Sequence, residues 1–485
     1  MGRRRTRRGL IGKVAILLAL GAGAVSAGAV AWAWETAIPP QPRPAADGFA
    51  PELVAEGARL AAVGNCIACH TVPGGRSFAG GLALPTPFGT IHSTNITPDE
   101  ETGIGRWSEA AFTRAMRRGV DREGRHLYPA FPYDHYTRVG DADNRALYAY
   151  LMTRSPVRAE APANDLPFPL NIRMAVAGWK LLYFREGAFT PDPAKPEVWN
   201  RGAYLAEGLG HCGACHSPRN ALGAVDEDRA WAGGEAEGWT AYPINEHSPA
   251  PVPWTADSLT FYLRHGWHPA HGVSRGPMAE VTGNLAGLPD ADVAAIAAYV
   301  ADRMGPPSAE RQRRGEDLQA LVPRLTAEAG TPPGSSLSAA DSLNRPPAAG
   351  SEGAPSRADE RGEAIYRTTC ATCHESGRPL PFGGLPFALS TAVNASTPQN
   401  IVNVTLFGLP PGDGTVSAVM PAFGGALSDA DMVALLRFLR GRFSEQPPWD
   451  GLERLVADTR SGAHHVAVRP ADGIERAPRN VGATD

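Results

Sequence analysis

The sequence predicts a mainly α protein in which three similar helical domains follow one another behind an N-terminal transmembrane helix. A string with the pattern Cys-x-x-Cys-His occurs three times, and each copy stands at the same place in a repeated series of helical patterns. A basic segment at the start of the chain is followed by an uncharged run from Val14 to Trp34. At 485 residues, the chain is long enough for about three domains of ordinary size.

The three strings use all six cysteines of the chain and are Cys66-Ile67-Ala68-Cys69-His70, Cys212-Gly213-Ala214-Cys215-His216 and Cys370-Ala371-Thr372-Cys373-His374. This pattern is the attachment signature of c-type haem, in which both thiols bond to the haem and the adjacent imidazole binds the iron. A Cys-x-x-Cys pair can also belong to a zinc site, a redox dithiol or a structural disulfide. A zinc site would need further ligands, and a redox dithiol would occur once in a βαβ pattern. We therefore predict three covalently bound haem c groups, held by these six cysteines, with His70, His216 and His374 as iron ligands.

The composition fits an electron carrier with no substrate chemistry of its own. The net charge is −4, so nothing indicates a nucleic-acid partner. The sequence shows no nucleophile–base constellation, phosphate loop or flavin fingerprint, and we assign no catalytic residue. We expect an electron-transfer protein that is not itself catalytic.

Each predicted domain begins with a leading helix before its string, continues with a middle helix and ends with a closing helix. The closing helices begin at Asp141, Asp290 and Asp429, where acidic residues suit the positive end of the helix dipole, and each has an aromatic residue nine positions later: Tyr150, Tyr299 and Phe438. The leading helices contain Gly57, Gly202 and Gly362, which allow another helix to approach closely. This plan predicts three tandem class I cytochrome c domains.

A constant interval from the end of the middle helix predicts the second axial ligand of the iron. They end at Gly119, Gly266 and Gly408, and twelve residues after the last two glycines stand Met278 and Met420. A methionine after Cys-x-x-Cys-His and before the closing helix is the expected sixth ligand of a cytochrome c iron. A lone methionine is usually core filler, but the shared spacing favours ligation.

The first domain departs from this pattern. Phe131 stands twelve residues after Gly119, and a phenyl ring cannot bind iron. We predict His135 as the substitute ligand, with His126, another ligand or a five-coordinate iron left open. Imidazole in place of thioether should lower the reduction potential, because Met/His ligation raises it.

The N-terminal run from Val14 to Trp34 is long enough to cross a bilayer, which takes about 20 residues in a helix. The arginines before it should stay in the cytoplasm, which leaves the bulk of the chain on the periplasmic side of the cell inner membrane. A cleaved signal peptide is the alternative, because alanine-rich cleavage sites are present, but the run is longer than a usual signal-peptide core.

The predicted boundaries complete the organisation of the chain. They are a basic cytoplasmic flank at 1–13, a transmembrane anchor or signal peptide at 14–34, a Pro-rich spacer at 35–48, cytochrome c domain 1 at 49–190, domain 2 at 191–305, a linker at 306–356, domain 3 at 357–445 and a polar tail at 446–485. Within the linker, 310–329 could hold a helix and 330–355 should be mobile, so that domain 3 is tethered rather than fixed. We expect the tail after Phe443 to be a surface strap or disordered.

The chain resembles the triple-haem cytochrome c subunits of membrane-bound bacterial dehydrogenases over about residues 50–445. Besides the three strings, the residues that carry this resemblance are Phe88-Gly89-Thr90-Ile91-His92-Ser93-Thr94-Asn95-Ile96-Thr97-Pro98, His126-Leu127-Tyr128-Pro129-Ala130, His211 to Asn220, and Met420-Pro421-Ala422-Phe423. The resemblance implies an electron-transfer subunit that passes electrons from a dehydrogenase to the respiratory chain.

One string distinguishes two branches of these subunits. Those of alcohol, aldehyde and gluconate dehydrogenases typically carry methionine where this chain has Phe131. The string Phe131-Pro132-Tyr133-Asp134-His135 is similar instead to the cytochrome subunits of nicotinate- and isoquinoline-type molybdenum hydroxylases. This resemblance implies molybdopterin and iron–sulfur subunits as partners, contact with the membrane, and a quinone or a terminal oxidase as electron acceptor.

Other functions stay open from the sequence. The chain could instead be the cytochrome subunit of a quinone-linked alcohol, aldehyde or gluconate dehydrogenase. It could be a haem peroxidase if the first iron is five-coordinate, or an oxidase subunit or free electron carrier.

Overall fold

The computed structural model describes residues 28, 30–328, 357–376, 378, 380, 383–410 and 418–464. The chain forms two compact units. The first unit comprises the chain up to Gly57 together with Gly81–Ala188, and the second comprises Ala58–Gly80 together with the chain from Phe189 onwards.

The predicted series of leading, middle and closing helices is present three times. The leading helices are Pro51–Val63, Glu197–Glu207 and Arg357–Ile365, the middle helices are Glu109–Arg118, Ala256–His265 and Gln399–Phe407, and the closing helices are Asp141–Met152, Asp290–Met304 and Asp429–Phe443. Short helices at the three strings span Cys66–Cys69, Cys212–His216 and Ala371–His374. Each closing helix therefore begins at the aspartate that the sequence indicated.

Shorter elements connect these helices. The remaining α-helices are Tyr133–Tyr136, Val176–Tyr183, Pro277–Leu285, Ala309–Glu328, Thr391–Asn394 and Leu452–Ser461. A π-helical turn spans Tyr366–Cys370, and 3₁₀ turns span Ala46–Gly48, Arg173–Ala175, Glu227–Arg229 and Phe387–Leu389. The strands form antiparallel pairs, Ala83–Thr86 with Gly89–His92, Gly234–Ala236 with Trp239–Ala241, and Trp267–His268 with Gly272–Val273.

The middle helices end where their glycines permit a left-handed residue. Gly119, Gly266 and Gly408 are the C-caps and have φ values of 58°, 74° and 72°. L-residues with a side chain rarely adopt this conformation, whereas glycine does so at little cost.

The leading and closing helices cross at a glycine in all three copies. A Cβ atom added at Gly57, Gly202 or Gly362 would overlap a backbone carbonyl oxygen of the closing helix, which belongs to Ala146, Ala295 or Ala434, respectively. The same added atom would press on the Cβ of the aromatic residue that the repeat places there: Tyr150, Tyr299 or Phe438. Backbone therefore packs directly on backbone at each crossing, as the sequence predicted.

The chain after Phe443 contains a helix that the sequence did not predict. Leu452 and Val456 of Leu452–Ser461 are 1% and 0% exposed. They join the core formed around the third leading, middle and closing helices, which we call the third region. The indole Nε1 of Trp449 donates a hydrogen bond to the Ala395 carbonyl (2.9 Å). The expectation of a surface strap or disorder is therefore wrong for this stretch, because a few apolar residues at helical spacing suffice to dock it. Residues 465–485 lie outside the part of the chain that the structure describes.

The third region is hydrogen-bonded to the second region, which contains the second leading, middle and closing helices. Both regions belong to the second compact unit. Asn400 accepts a hydrogen bond from the Thr240 amide (2.9 Å) and donates one to the Thr240 carbonyl (2.8 Å). The buried Asn403 donates to the Gly238 carbonyl (2.9 Å). The third region is thus fixed rather than merely tethered. Of the predicted linker, Ala309–Glu328 forms the expected helix, and 329–356 lies outside the described residues.

The predicted fold class is wrong as stated. The chain is mainly helical, but in the parts that the structure describes, no helix is both long and apolar enough to span a bilayer. Of the predicted anchor at 14–34, residues 14–27 and 29 lie outside those parts. The chain leaves the helical conformation by Trp34, and Glu35 pairs with Arg118 (2.6 Å), so the segment after the run packs on the first unit. The chain also divides into two compact units rather than three, and the domain boundaries stay predictions.

Substitution of the crossing glycines should destabilise the protein. We expect Gly202→Ala and Gly362→Ala each to lower the free energy of unfolding by about 1–3 kcal/mol, because the added methyl must separate two backbones. Gly441→Ala is the matched control, since an added Cβ there meets no atom within 4 Å and alanine favours a helix by roughly 0.5–1 kcal/mol. Urea unfolding followed by circular dichroism measures both effects. Equal stability of all three variants would contradict the close crossing.

Candidate haem sites

Each Cys-x-x-Cys-His string contains a short helix of about one turn. Asn65 and His211, which precede the first cysteine in two copies, are left-handed with φ values of 49° and 36°, and the chain enters the helix directly after them. Residues three apart lie on the same face of a helix, so the two thiols of a string can reach one group. All six cysteines are free thiols in the structure, so the disulfide alternative is not supported.

The environment of the thiols also argues against a zinc site. Burial raises the pKa of Cys66 and of Cys370 to about 11, and burial together with the nearby Cys215 raises the pKa of Cys212 to about 12. Burial thus favours the neutral thiol over the thiolate at these positions. Throughout the residues that the structure places, no three His, Cys, Asp or Glu side chains are grouped so that they could hold a metal ion.

The second and third strings open into one cavity within the second unit. Its volume is about 390 Å³, within the range of about 300–1,000 Å³ that is typical of ligand sites. The predicted ligands that line it are Cys212, Cys215, His216 and Met278 from the second region, and Cys370, Cys373, His374 and Met420 from the third. We call this space the shared cavity.

Both imidazoles in the shared cavity are held by a backbone carbonyl. Nδ1 of His216 lies 2.7 Å from the Tyr242 oxygen, and Nδ1 of His374 lies 2.8 Å from the Leu385 oxygen. These contacts assign the proton to Nδ1 and leave the Nε2 lone pair for a metal. Burial lowers the pKa of both histidines, which keeps the rings neutral and able to ligate.

The two methionines are positioned by different local structures. Met278 is the second residue of Pro277–Leu285, a helix that begins directly after the left-handed Gly276, so it lies in a first turn rather than in the expected loop. Met420 is held by a reciprocal backbone pair with Leu409, whose N–H···O distances are 2.8 and 3.0 Å. Two neutral imidazoles, two thioethers and two pairs of cysteine thiols therefore face one largely apolar space. This donor set fits two c-type haems.

The first string has the same local form, but its predicted sixth ligand remains a prediction. Cys66, Cys69 and His70 belong to the second unit, where the His70 carbonyl accepts a hydrogen bond from the Gly80 amide (2.8 Å). His135 is half-buried in Tyr133–Tyr136 of the first unit. The ring of Phe131 packs against Tyr136, with 5.2 Å between ring centroids.

His126, the other histidine considered for the first haem, has a structural role. Its Nε2 lies 2.9 Å from the Ala33 carbonyl oxygen, and its Nδ1 lies 3.1 Å from the ammonium of Lys180. With both nitrogens bonded, the ring has no lone pair left for iron. Burial lowers the pKa of His126 and lowers the pKa of Lys180 to about 7. No sequence pattern indicated this contact, because Lys180 and Ala33 are distant in the chain.

Two polar residues of the shared cavity were also not selected from the sequence. His271 and Arg275 line it, and they lie in the loop before Met278. A single histidine or arginine in a loop carries no spacing signal. Only the fold reveals that these side chains face the cavity.

Family models match two parts of the chain. The model described as "Cytochrome c" matches residues 54–155. The model described as "Cytochrome C oxidase, cbb3-type, subunit III" matches residues 357–439. Cytochrome c domains carry covalently bound haem c, so this cofactor follows from the family models together with the cysteine strings.

Three relatives extend the comparison over most of the chain. A nicotinate dehydrogenase subunit from Pseudomonas putida is 42% identical over 437 residues, which are 89% of this chain but 34% of that protein. The fructose dehydrogenase cytochrome subunit of Gluconobacter japonicus is 36% identical, with 80% of this chain and 77% of that protein covered. The gluconate 2-dehydrogenase cytochrome c subunit of Pantoea cypripedii is 36% identical, with 80% and 85% covered. The chain thus spans about a third of the nicotinate dehydrogenase subunit and most of the other two.

Replacing either methionine should change the reduction potential of one haem. We expect Met278→Leu and Met420→Leu to lower one midpoint potential each, because Met/His ligation raises the potential of haem iron. Met432→Leu is the matched control, since Met432 is 0% exposed in the core of the third region and does not line the shared cavity. Spectroelectrochemical titration of the haem protein makes the comparison. Potentials that match the control would show that neither thioether binds iron.

Proposed function

Because the chain belongs to the family of cytochrome c subunits of bacterial dehydrogenases, we propose that it is the electron-transfer subunit of a dehydrogenase complex that faces the periplasm. It passes electrons from the dehydrogenase to the respiratory chain through three covalently bound haem c groups. The observation that carries this proposal is the shared cavity, in which two strings and two methionines converge on one space.

The residues of the chain bind the haem groups and set their surroundings. Bound haem supplies one-electron chemistry at its iron. Cys212 and Cys215 anchor one haem, and the Tyr242 carbonyl orients His216 for ligation. Apolar side chains that line the cavity exclude water and lower the local dielectric constant, which together with the axial ligands sets the potential: Leu259, Leu263, Leu285, Ile296, Leu435 and Leu439.

We infer a third haem because the first Cys-x-x-Cys-His string resembles the second in its local structure. Cys66–Cys69 forms a helical turn after a left-handed residue, as Cys212–His216 does. Each string has the adjacent histidine, and the cysteines of each are free. These features support a third haem at Cys66, Cys69 and His70.

We assign molybdopterin and iron–sulfur subunits as the partners that supply the electrons. Two observations support this assignment: the likeness of the string from Phe131 to His135 to the molybdenum branch, and the 42% identity to a nicotinate dehydrogenase subunit. The alternative partner is a quinone-linked alcohol, aldehyde or gluconate dehydrogenase, because cytochrome subunits of that kind match over most of their length. Phe131 in the place of methionine favours the molybdenum branch. A quinone or a terminal oxidase then accepts the electrons.

We place the protein on the periplasmic side of the cell inner membrane, in contact with lipid. Apolar side chains of the first unit support this location, since Phe168, Leu181 and Leu182 are 80%, 63% and 59% exposed. Trp32 and Trp34 are 58% and 65% exposed, and tryptophan is enriched at membrane interfaces. Exposed apolar groups of this size are typical of interaction surfaces.

The haem content tests the proposed function directly. We expect the purified full-length protein to contain three covalently bound haems per chain, as measured by haem absorbance and by the mass of the intact denatured protein. Replacing both cysteines of one string with alanine should remove one haem and leave two, because each string holds its own group. Fewer than three haems in the unaltered protein, or zinc in their place, would contradict the proposal.

The partner can be identified from native membranes. Affinity purification of the tagged full-length chain, followed by mass spectrometry and metal analysis, should recover molybdenum and iron–sulfur subunits in fixed ratio. The same tag on an unrelated periplasmic protein controls for non-specific recovery. Recovery of a quinone-linked dehydrogenase without molybdenum would instead support the alternative partner.

A further inference from the structure

A short hairpin carries two polar side chains into the shared cavity. The hairpin pairs Trp267–His268 with Gly272–Val273, and the chain then runs through Arg275 to the helix that bears Met278. His271 at the turn and Arg275 after the second strand both line the cavity. The haem attachment described above uses neither side chain.

The ring of His271 is buried and only partly satisfied. The residue is 4% exposed, and its ring stacks on Trp254 with 3.5 Å between ring centroids and 12° between planes. Its Nδ1 is buried without a hydrogen-bond partner. Buried polar groups are nearly always hydrogen-bonded, because an unmade bond in the interior is destabilising. His271 therefore lines the cavity with one ring nitrogen unsatisfied.

Arg275 presents a second unsatisfied group. Its Nε is buried without a hydrogen-bond partner, and no ion pair found in the described residues includes its guanidinium. Burial lowers the pKa of Arg275, and no nearby carboxylate raises it again. Arg275 as a whole is half-buried. A guanidinium remains charged under all ordinary conditions, and a partly buried charge without a counter-charge is destabilising. An anion in the shared cavity would supply that counter-charge.

The loop that holds both side chains is fixed in place. The amide and the hydroxyl of Ser274 both donate to the Gly266 carbonyl (2.7 and 2.9 Å), and its hydroxyl also lies 2.9 Å from the Thr282 hydroxyl. From the third region, the Thr391 hydroxyl donates to the His271 carbonyl (2.9 Å). The two donors are thus held towards the cavity at a fixed position, as a binding site requires.

We propose that His271 and Arg275 form a carboxylate-binding site that holds a propionate of a haem in the shared cavity. A planar guanidinium matches a carboxylate through two parallel hydrogen bonds, and the imidazole donates a third. The proposal rests on the proposed function, because haem propionates are the carboxylates that the bound cofactor would bring. Both haems of the cavity carry propionates, so the site would bind the same carboxylate chemistry from either haem.

This site would also adjust the reduction potential of the haem that it binds. A positive charge next to the propionate disfavours the ferric state, which carries one more positive charge than the ferrous state. Loss of the guanidinium should therefore lower the midpoint potential. A purely structural role of Arg275 would leave the potential unchanged.

The test compares variants of the full-length haem protein by spectroelectrochemical titration. We expect Arg275→Gln to lower the midpoint potential of one haem and Arg275→Lys, which keeps the charge, to lower it less. His271→Phe keeps a ring to stack on Trp254 but removes the donor, and it should lower the same potential. Arg229→Gln is the control, because Arg229 is exposed and pairs with Asp226 outside the cavity.

Two further variants identify which haem supplies the propionate. Arg275→Gln is combined with alanine at Cys212 and Cys215, or with alanine at Cys370 and Cys373, so that one haem of the cavity is missing in each background. The shift should persist only in the background that keeps the bound haem.

The outcomes separate this site from the proposed function. Three haems per chain, with potentials in Arg275→Gln and His271→Phe equal to those of Arg229→Gln, would overturn the site and leave the function intact. Fewer than three haems in the unaltered protein would contradict the function itself. If Arg275→Gln does not load haem, the potentials of Arg275→Lys and His271→Phe decide, and no shift in either would overturn the site.

Discussion

The close crossing of a leading helix with a closing helix is the contact on which each haem region depends. In all three regions, a glycine of the leading helix packs against a backbone carbonyl of the closing helix. In the second and third regions, the crossing brings the leading helix to a fixed position on the closing helix. The first cysteine of the string stands ten and eight residues after the crossing glycine in these regions, so the crossing limits the positions that the thiols and the imidazole can take. The haem site therefore depends on a contact that contains no haem-binding residue.

The second and third regions use this fixed geometry to build one cavity. The Asn400–Thr240 and Asn403–Gly238 hydrogen bonds hold the third region against a strand pair of the second. This contact joins the two donor sets and places the Thr391 hydroxyl on the hairpin that carries His271. Neither region alone would enclose the space that their ligands line. The cavity thus links binding of the cofactor to the packing between regions.

The repeated parts of this protein could be predicted from the sequence, whereas most of the unrepeated parts could not; the linker helix at Ala309–Glu328 is the exception. Helix starts, C-cap glycines and the crossings follow from three copies of one pattern. Met278 and Met420, which the interval from the glycine selected, both line the shared cavity, and their ligation of iron stays a prediction. A contact that occurs in only one of the three regions produces no repeated pattern in the sequence. The bonds of His126 to Ala33 and Lys180, the orphan groups of His271 and Arg275, and the docked helix at Leu452–Ser461 depend on residues that only folding brings together. The predicted transmembrane helix rested on composition alone, and no helix of the described chain bears it out.

The glycine at the end of each middle helix stands at the same distance from the ligand position in all three regions, although the residue at that position differs. The interval of twelve residues from that glycine is the same for Phe131 as for Met278 and Met420, although a phenyl ring cannot bind iron. The interval is therefore kept where this position holds no metal-binding side chain, although Met278 lies in the first turn of a helix and Met420 pairs with Leu409. In evolutionary terms, duplication supplies three copies of one scaffold, and single codon changes at the slot then diversify their redox properties. A chain built in this way can acquire a graded series of electron carriers without a new fold for each.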